Sequence, residues 1–183
     1  MRMNVHHGLT DQRGFTLAEV LIAAVIITLA LVALASVVPI AGYAVQDGNQ
    51  MSTATFLAEQ QLEQAKNLPW VGSPANDCLG ASASSTAAPT VPAGGTCING
   101  ATTINAGGAI TWLADESAVT NFPAYARTVR ITDCSTGGGC VGITDAHMRL
   151  VTVTVTYTPL NPAPATGTTG PKSIRVQMAV SQR

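Results

Sequence analysis

Arg13-Gly14-Phe15-Thr16-Leu17-Ala18-Glu19 runs without a break into Val20-Leu21-Ile22-Ala23-Ala24-Val25-Ile26-Ile27-Thr28-Leu29-Ala30-Leu31-Val32-Ala33-Leu34-Ala35, and no charged residue occurs from Val20 to Gln46. A bilayer core is crossed by roughly 17–25 mostly apolar residues, so the run predicts one membrane-spanning helix. Arg2 and Arg13 precede it, and no Lys or Arg follows until Lys66. By the positive-inside rule the first residues stay in the cytoplasm and everything after about residue 40 lies outside. A cleavable secretory signal would be shorter and would lack a carboxylate at the start of its apolar core. Glu19 is such a carboxylate. A charge within a membrane helix costs roughly 2.5–3.5 kcal/mol on insertion scales, so Glu19 requires a cation, and the helix itself supplies none.

The order of residues from Arg13 to Ala23 resembles the class III signal of type IV prepilins and type II secretion pseudopilins. The resemblance implies that a prepilin peptidase removes residues 1–14 on the cytoplasmic side, cutting between Gly14 and Phe15. It implies N-methylation of the new terminal Phe15. It also implies that Glu19, the fifth mature residue, meets the amino terminus of a neighbouring subunit. Cleavage would then create the cation that Glu19 lacks, and methylation would leave it charged.

Beyond the apolar run, Ala54, Leu57, Ala58, Gln61, Leu62, Ala65 and Leu68 recur at steps of three and four, with Glu59, Gln60, Glu63 and Lys66 between them. This spacing predicts an amphipathic continuation of the helix with one face for a core, ended by Pro69. Pro39, Gly42 and Gly48 are the expected points of bending or unwinding. Major pilins usually carry a helix-breaking proline slightly earlier; Ser36 stands at that place here. Residues 71–108 are rich in Gly, Ala, Ser, Thr and Pro and read as a linker by composition. Period-two alternation then predicts three strands: Tyr125 through Arg127, Val129 and Ile131; Val151, Val153, Val155 and Tyr157; and Ile174, Val176, Met178 and Val180. Such alternation fits an antiparallel sheet buried on one face. The expected fold is α+β, a long amino-terminal helix packed on a small antiparallel sheet. The expected divisions are a leader (1–14), a membrane half-helix (15–42), an amphipathic half-helix (43–70), a variable loop region (71–121) and the sheet (122–183).

The four cysteines, Cys78, Cys97, Cys134 and Cys140, all follow the apolar run. They show no Cys-x-x-Cys spacing and no nearby histidine to complete a zinc site. An even count beyond a membrane span predicts disulfides in an oxidising compartment. Three connectivities are open, and pairing of nearest neighbours, Cys78 with Cys97 and Cys134 with Cys140, is the one expected. The glycines at 137–139 read as a flexible turn between strands.

Other chemistry is sparse. His147 is the sole histidine after the leader, no Gly-x-Ser-x-Gly occurs, and the Asp115-Glu116 pair reads as solvated. Trp70 and Trp112 read as packing residues. Without residues 1–14 the chain has seven basic and nine acidic residues, which lacks the basic excess of a nucleic-acid binder. No enzyme activity, metal or cofactor is expected. Gln61-Leu62-Glu63-Gln64-Ala65, Leu68-Pro69-Trp70, Tyr125-Ala126-Arg127-Thr128-Val129 and Val151-Thr152-Val153-Thr154-Val155 are similar to minor pilins of the pilus-modification (PilV-like) group. That resemblance implies a structural or assembly subunit of a type IV pilus, held in the inner membrane with its carboxy-terminal domain in the periplasm and then carried to the cell surface. Its partners would be prepilin peptidase and other pilins. A minor pseudopilin of type II secretion and an adhesin-like tip pilin, contacting a surface through residues 71–121, are the alternatives.

Overall fold

The computed structural model describes residues 14–135, 139–159 and 170–183. Most of the expected leader, with Arg2 and Arg13, and Gly137-Gly138 lie outside the described residues. The chain divides into two compact units, Met1–Gly42 and Tyr43–Arg183.

One helix, α1 (Leu17–Asn67), contributes to both units. Thr16 caps its start: the hydroxyl oxygen accepts the Glu19 amide at 3.2 Å, satisfying an amide that has no partner within the helix. At the far end the Leu68 amide turns back to the Ala65 carbonyl at 3.2 Å, and Pro69 has no amide to continue the ladder. The backbone stays helical through position 39, Gly42 and Gly48, where unwinding was expected. Each interior glycine still costs roughly 1 kcal/mol relative to alanine, so this is the least favoured stretch of α1.

In the first unit, residues 17–38 are exposed on every face. The most apolar window of α1 has a mean hydropathy of 2.9 and none of it is buried. A helix that is apolar all round needs an apolar medium, and α1 is long and apolar enough to cross a membrane. Its hydroxyls are satisfied internally: Thr28 donates to the Val25 carbonyl at 2.8 Å and Ser36 to the Ala33 carbonyl at 2.7 Å. Lipid offers no other acceptor.

In the second unit the chain after Pro69 forms three antiparallel ribbons. They pair β1 (Trp70–Val71) with β2 (Asn76–Asp77), β3 (Ala81–Ser82) with β4 (Pro89–Thr90), and β5 (Thr96–Asn99) with β6 (Thr102–Asn105). A single 3₁₀ turn, Thr111–Leu113, leads on to a three-stranded antiparallel sheet, β7 (Tyr125–Asp133), β8 (Met148–Tyr157) and β9 (Lys172–Ser181), in spatial order β7-β8-β9. Val129 lies opposite Val153, and Val153 opposite Val176. The odd-numbered residues of β7 and β8 supply Val129, Ile131, Val151, Val153 and Val155 to the core, where they meet Ala54, Leu57, Ala58, Leu62 and Ala65 of α1. Helix on one face of an antiparallel sheet is the α+β, pilin-like arrangement expected.

Residues 71–113 are more than a linker. Leu79, Val91, Ile110 and Leu113 are fully buried with Cys78 and Cys97 in the same core as α1 and the sheet. Composition hides this because the buried aliphatic residues are few and widely spaced, and Ile98 among them in sequence stays exposed. Gly80 lets the chain entering β3 lie close to β4 and Ile110: its φ is +67°, and a Cβ there would collide with the Ile110 side chain and lie 2.6 Å from the Thr90 carbonyl. Two disulfides form, Cys78–Cys97 and Cys134–Cys140, spanning 19 and 6 positions of sequence. Replacing both Cys78 and Cys97 by alanine should cost about 3 kcal/mol, from the freedom regained by the unfolded loop. It would be read as a lower urea midpoint in the full chain. Opening the shorter Cys134–Cys140 loop should cost less.

Candidate functional site

Gly14, Phe15 and Thr16 precede the helix in non-helical chain, and Phe15 is 81% exposed. The Gly14–Phe15 peptide bond is therefore outside any helical hydrogen-bond ladder and open to approach. Among the described residues nothing lies within 4 Å of a Cβ built at Gly14. The described structure leaves room for a larger residue at this position.

Glu19 sits one turn further on, with its side chain exposed. It is the third residue of α1, where unpaired amides leave a partial positive charge that favours a carboxylate. Thr16 and Glu19 stand at capping-box spacing, and the Glu19 amide also lies 3.0 Å from the Thr16 carbonyl. Among the described residues no cation pairs with Glu19. Phe15 and Glu19 thus lie at the same end of α1, four positions apart, with the capping Thr16 between them.

The cysteines are far from this segment in sequence and lie in the second unit, as does His147, whose Nδ1 is 2.7 Å from Gln182 Oε1. Asp115 and Glu116 are not simply solvated. A bridge between residue 116 and Arg127 on the edge of β7 brings both carboxylates to arginines three positions apart. Asp115 takes both terminal nitrogens of Arg130, at 2.6 and 2.8 Å. Glu116 accepts Arg127 Nε at 2.7 Å, and Arg127 Nη1 donates to the Leu57 carbonyl of α1 at 3.0 Å. The Arg130 hydrogen bonds hold the Asp115 carboxyl below the usual aspartate range, although burial opposes them. A depressed pKa contributes stability that is fully present above the unfolded value, about 3.9, and is lost as pH falls through the lower folded value. Asp115→Asn should therefore flatten the acid limb of the unfolding curve below about pH 4, with no change near neutrality in the same limb's slope.

Sequence reasoning missed a second buried pair. Asp77 and Arg149 are 8% and 7% exposed and meet at 2.7 Å; the Arg149 guanidinium lies 4.4 Å over the Trp70 ring. The signal was strand phase. Arg127 and Arg149 are in step with the inward residues of β7 and β8, so both had to find partners inside. A third tie, Lys172 Nζ to Asp47 Oδ1 at 2.6 Å, joins β9 to α1, and the Asp47 carboxylate holds the Lys172 ammonium above the usual lysine range. Among the described residues no group of three or more His, Cys, Asp or Glu could hold a metal ion.

The family model of the prokaryotic N-terminal methylation motif matches residues 9–35, a span that contains Gly14, Phe15 and Glu19. No curated protein and no solved structure matches the chain. The chain carries a prepilin-type signal at the head of an apolar helix, followed by a small antiparallel sheet. This combination supports a type IV pilin-like protein, anchored in a membrane through α1. A prepilin signal implies processing by prepilin peptidase and assembly with other pilins, and the family it marks is structural rather than enzymatic.

Proposed function

We propose that the chain is a minor pilin of the PilV-like group, a structural or assembly subunit of a type IV pilus. Residues 1–14 are the leader, removed between Gly14 and Phe15, and Phe15 is the methylated residue. Residues 15–42 hold the subunit in the inner membrane, with residues 43–183 on the periplasmic side, as two disulfides and the placement of Arg2 and Arg13 before the span favour. On assembly the methylated ammonium of one subunit pairs with Glu19 of the next.

The observation that carries this reading is the coincidence, at one end of an apolar helix, of an uncrowded Gly14, an exposed Phe15 and a carboxylate with no cation of its own among the described residues. Intact mass of the mature protein, made alongside its native prepilin peptidase, tests it. Cleavage after Gly14, one added methyl group and two disulfides are expected. An uncleaved chain, or a cut after the apolar run, would overturn the reading.

A further inference from the structure

The two edges of the β7-β8-β9 sheet are finished differently. Along a strand, successive backbone amides point to opposite edges. In β7 the odd-numbered residues point away from β8, and every such amide from Tyr125 to Ile131 is met. Tyr125 donates to the Phe122 carbonyl at 2.9 Å and Arg127 to the Glu116 carbonyl at 2.8 Å. Val129 donates to Asp115 Oδ1 at 3.3 Å and Ile131 to Ser82 Oγ at 3.0 Å. This edge is closed by the chain itself, through β3 and the segment that leads into β7.

On β9 the parity follows from its end. The Gln182 amide points to the His147 carbonyl beside β8 at 2.8 Å, and the Arg183 amide points the other way, to the Trp70 carbonyl at 3.0 Å. Even-numbered amides therefore face β8 and odd-numbered ones face outward. Among the described residues no acceptor meets the outward amides of Ser173, Arg175, Gln177, Ala179 or Ser181. The strand has no proline and no bulge, since its ten residues pair with β8 in unbroken register; of its two charges, Lys172 is tied to Asp47, and only Arg175 is left to guard the edge. A long, unpaired edge is a template for another strand.

We infer that the outer edge of β9 accepts an extended segment of a neighbouring subunit, adding a fourth strand to the sheet. The inference rests on the filament reading above and names the surface through which a subunit is held. The side chains beside the edge define the partner. Ile174, Val176, Met178 and Val180 form an inward row that is only half-buried, so the incoming strand presents aliphatic residues on that side. Arg175 is exposed on the other side and has no acidic partner among the described residues, so the strand presents a carboxylate there. The incoming segment thus alternates aliphatic and polar residues and is acidic on its polar face.

Proline placement tests this. In Ala179→Pro the lost amide serves only a partner strand, whereas in Met178→Pro it serves β8. With the full chain, made alongside its peptidase, Ala179→Pro should be cleaved after Gly14, keep both disulfides and melt close to wild type. Its share of the sheared pilus fraction should fall at least about tenfold. Met178→Pro should fail to fold. In the isolated mature chain in detergent, amides 173, 175, 177 and 179 should exchange at least about a hundredfold faster than 174, 176, 178 and 180. Incorporation of folded Ala179→Pro at the wild-type level overturns the edge and leaves the filament reading standing. Equal protection of odd and even amides in the isolated chain also overturns it, because the edge would already be covered. Absence of the wild-type chain from the pilus fraction ends the filament reading, and the inference with it.

Discussion

Glu19→Ala is expected to leave the chain cleaved after Gly14 and correctly folded, yet to lower its share of assembled pili by about two to four orders of magnitude. The size follows from the cost of removing one partner of a buried ion pair, about 3–5 kcal/mol. The direction is informative because every other consequence of the change is neutral or favourable. Alanine removes a charge that costs roughly 2.5–3.5 kcal/mol to place in a membrane, so anchoring should strengthen. Alanine is also the best helix former, which offsets the loss of roughly 0.3–1 kcal/mol from the helix dipole. The Thr16 cap survives, since its hydroxyl bonds the backbone amide of residue 19 and not its side chain. Lost assembly could then not be charged to a damaged helix or a detached subunit. Quantitative immunoblotting of membrane and sheared-pilus fractions measures the ratio. An unchanged ratio would show that Glu19 has no part in assembly. Glu19→Asp, which keeps the charge but shortens its reach, should fall between alanine and wild type.

The parts of this protein that were legible in the sequence are those set by short-range periodicity. The inward face of α1, from Ala54 to Ala65, repeats every three or four residues and is buried as that repeat requires. The three strands alternate every second residue, and Val129, Val153 and Val155 are inside. The segment from Gly14 to Glu19 is contiguous, so its spacing could be read directly. Residues 71–113 resisted because the burial there has no period. Leu79, Val91, Ile110 and Leu113 are single aliphatic residues far apart in sequence, yet all enter one core. The polar ties resisted for another reason. Strand phase shows that Arg127 and Arg149 point inward, but their carboxylates lie in β2 and in the segment before β7, whose paths depend on the whole fold. Asp77 is 72 positions from Arg149, and nothing local relates them. The closed edge of β7 has the same origin: it is built from Ser82, Asp115, Glu116 and the Phe122 carbonyl, which no local pattern relates to β7.

Asp77→Ala should destabilise the second unit by about 3–5 kcal/mol, the usual cost of leaving one member of a buried pair without the other. Domains of this kind have a total stability of about 5–15 kcal/mol, so the variant should be close to unfolding at growth temperature. Asp77 does two jobs. Its Oδ1 accepts the Gly80 amide at 2.8 Å, which pins the turn at that glycine. Its two oxygens also face Arg149 Nη1 at 2.7 Å. Without it, Nη1 keeps only the Gly80 carbonyl at 3.1 Å, and Arg149 Nε, which has no partner even in the intact protein, is joined by a second unsatisfied donor. The charge is sealed under Trp70, so water cannot readily replace the carboxylate. Removing both charges should be far milder. Asp77→Asn with Arg149→Met keeps an acceptor for the Gly80 amide and fills the space over Trp70 with an unbranched apolar chain, and should recover most of the loss. Trp70 reports the change directly, because the guanidinium stacks on its ring. Urea unfolding of the full chain in detergent, followed by tryptophan fluorescence, gives the three midpoints needed. If Asp77→Ala alone moves the midpoint by less than about 1 kcal/mol, as an exposed pair would, then the pair is hydrated in solution and the ribbons from Trp70 to Ser82 are held chiefly by the Cys78–Cys97 bond and by Leu79.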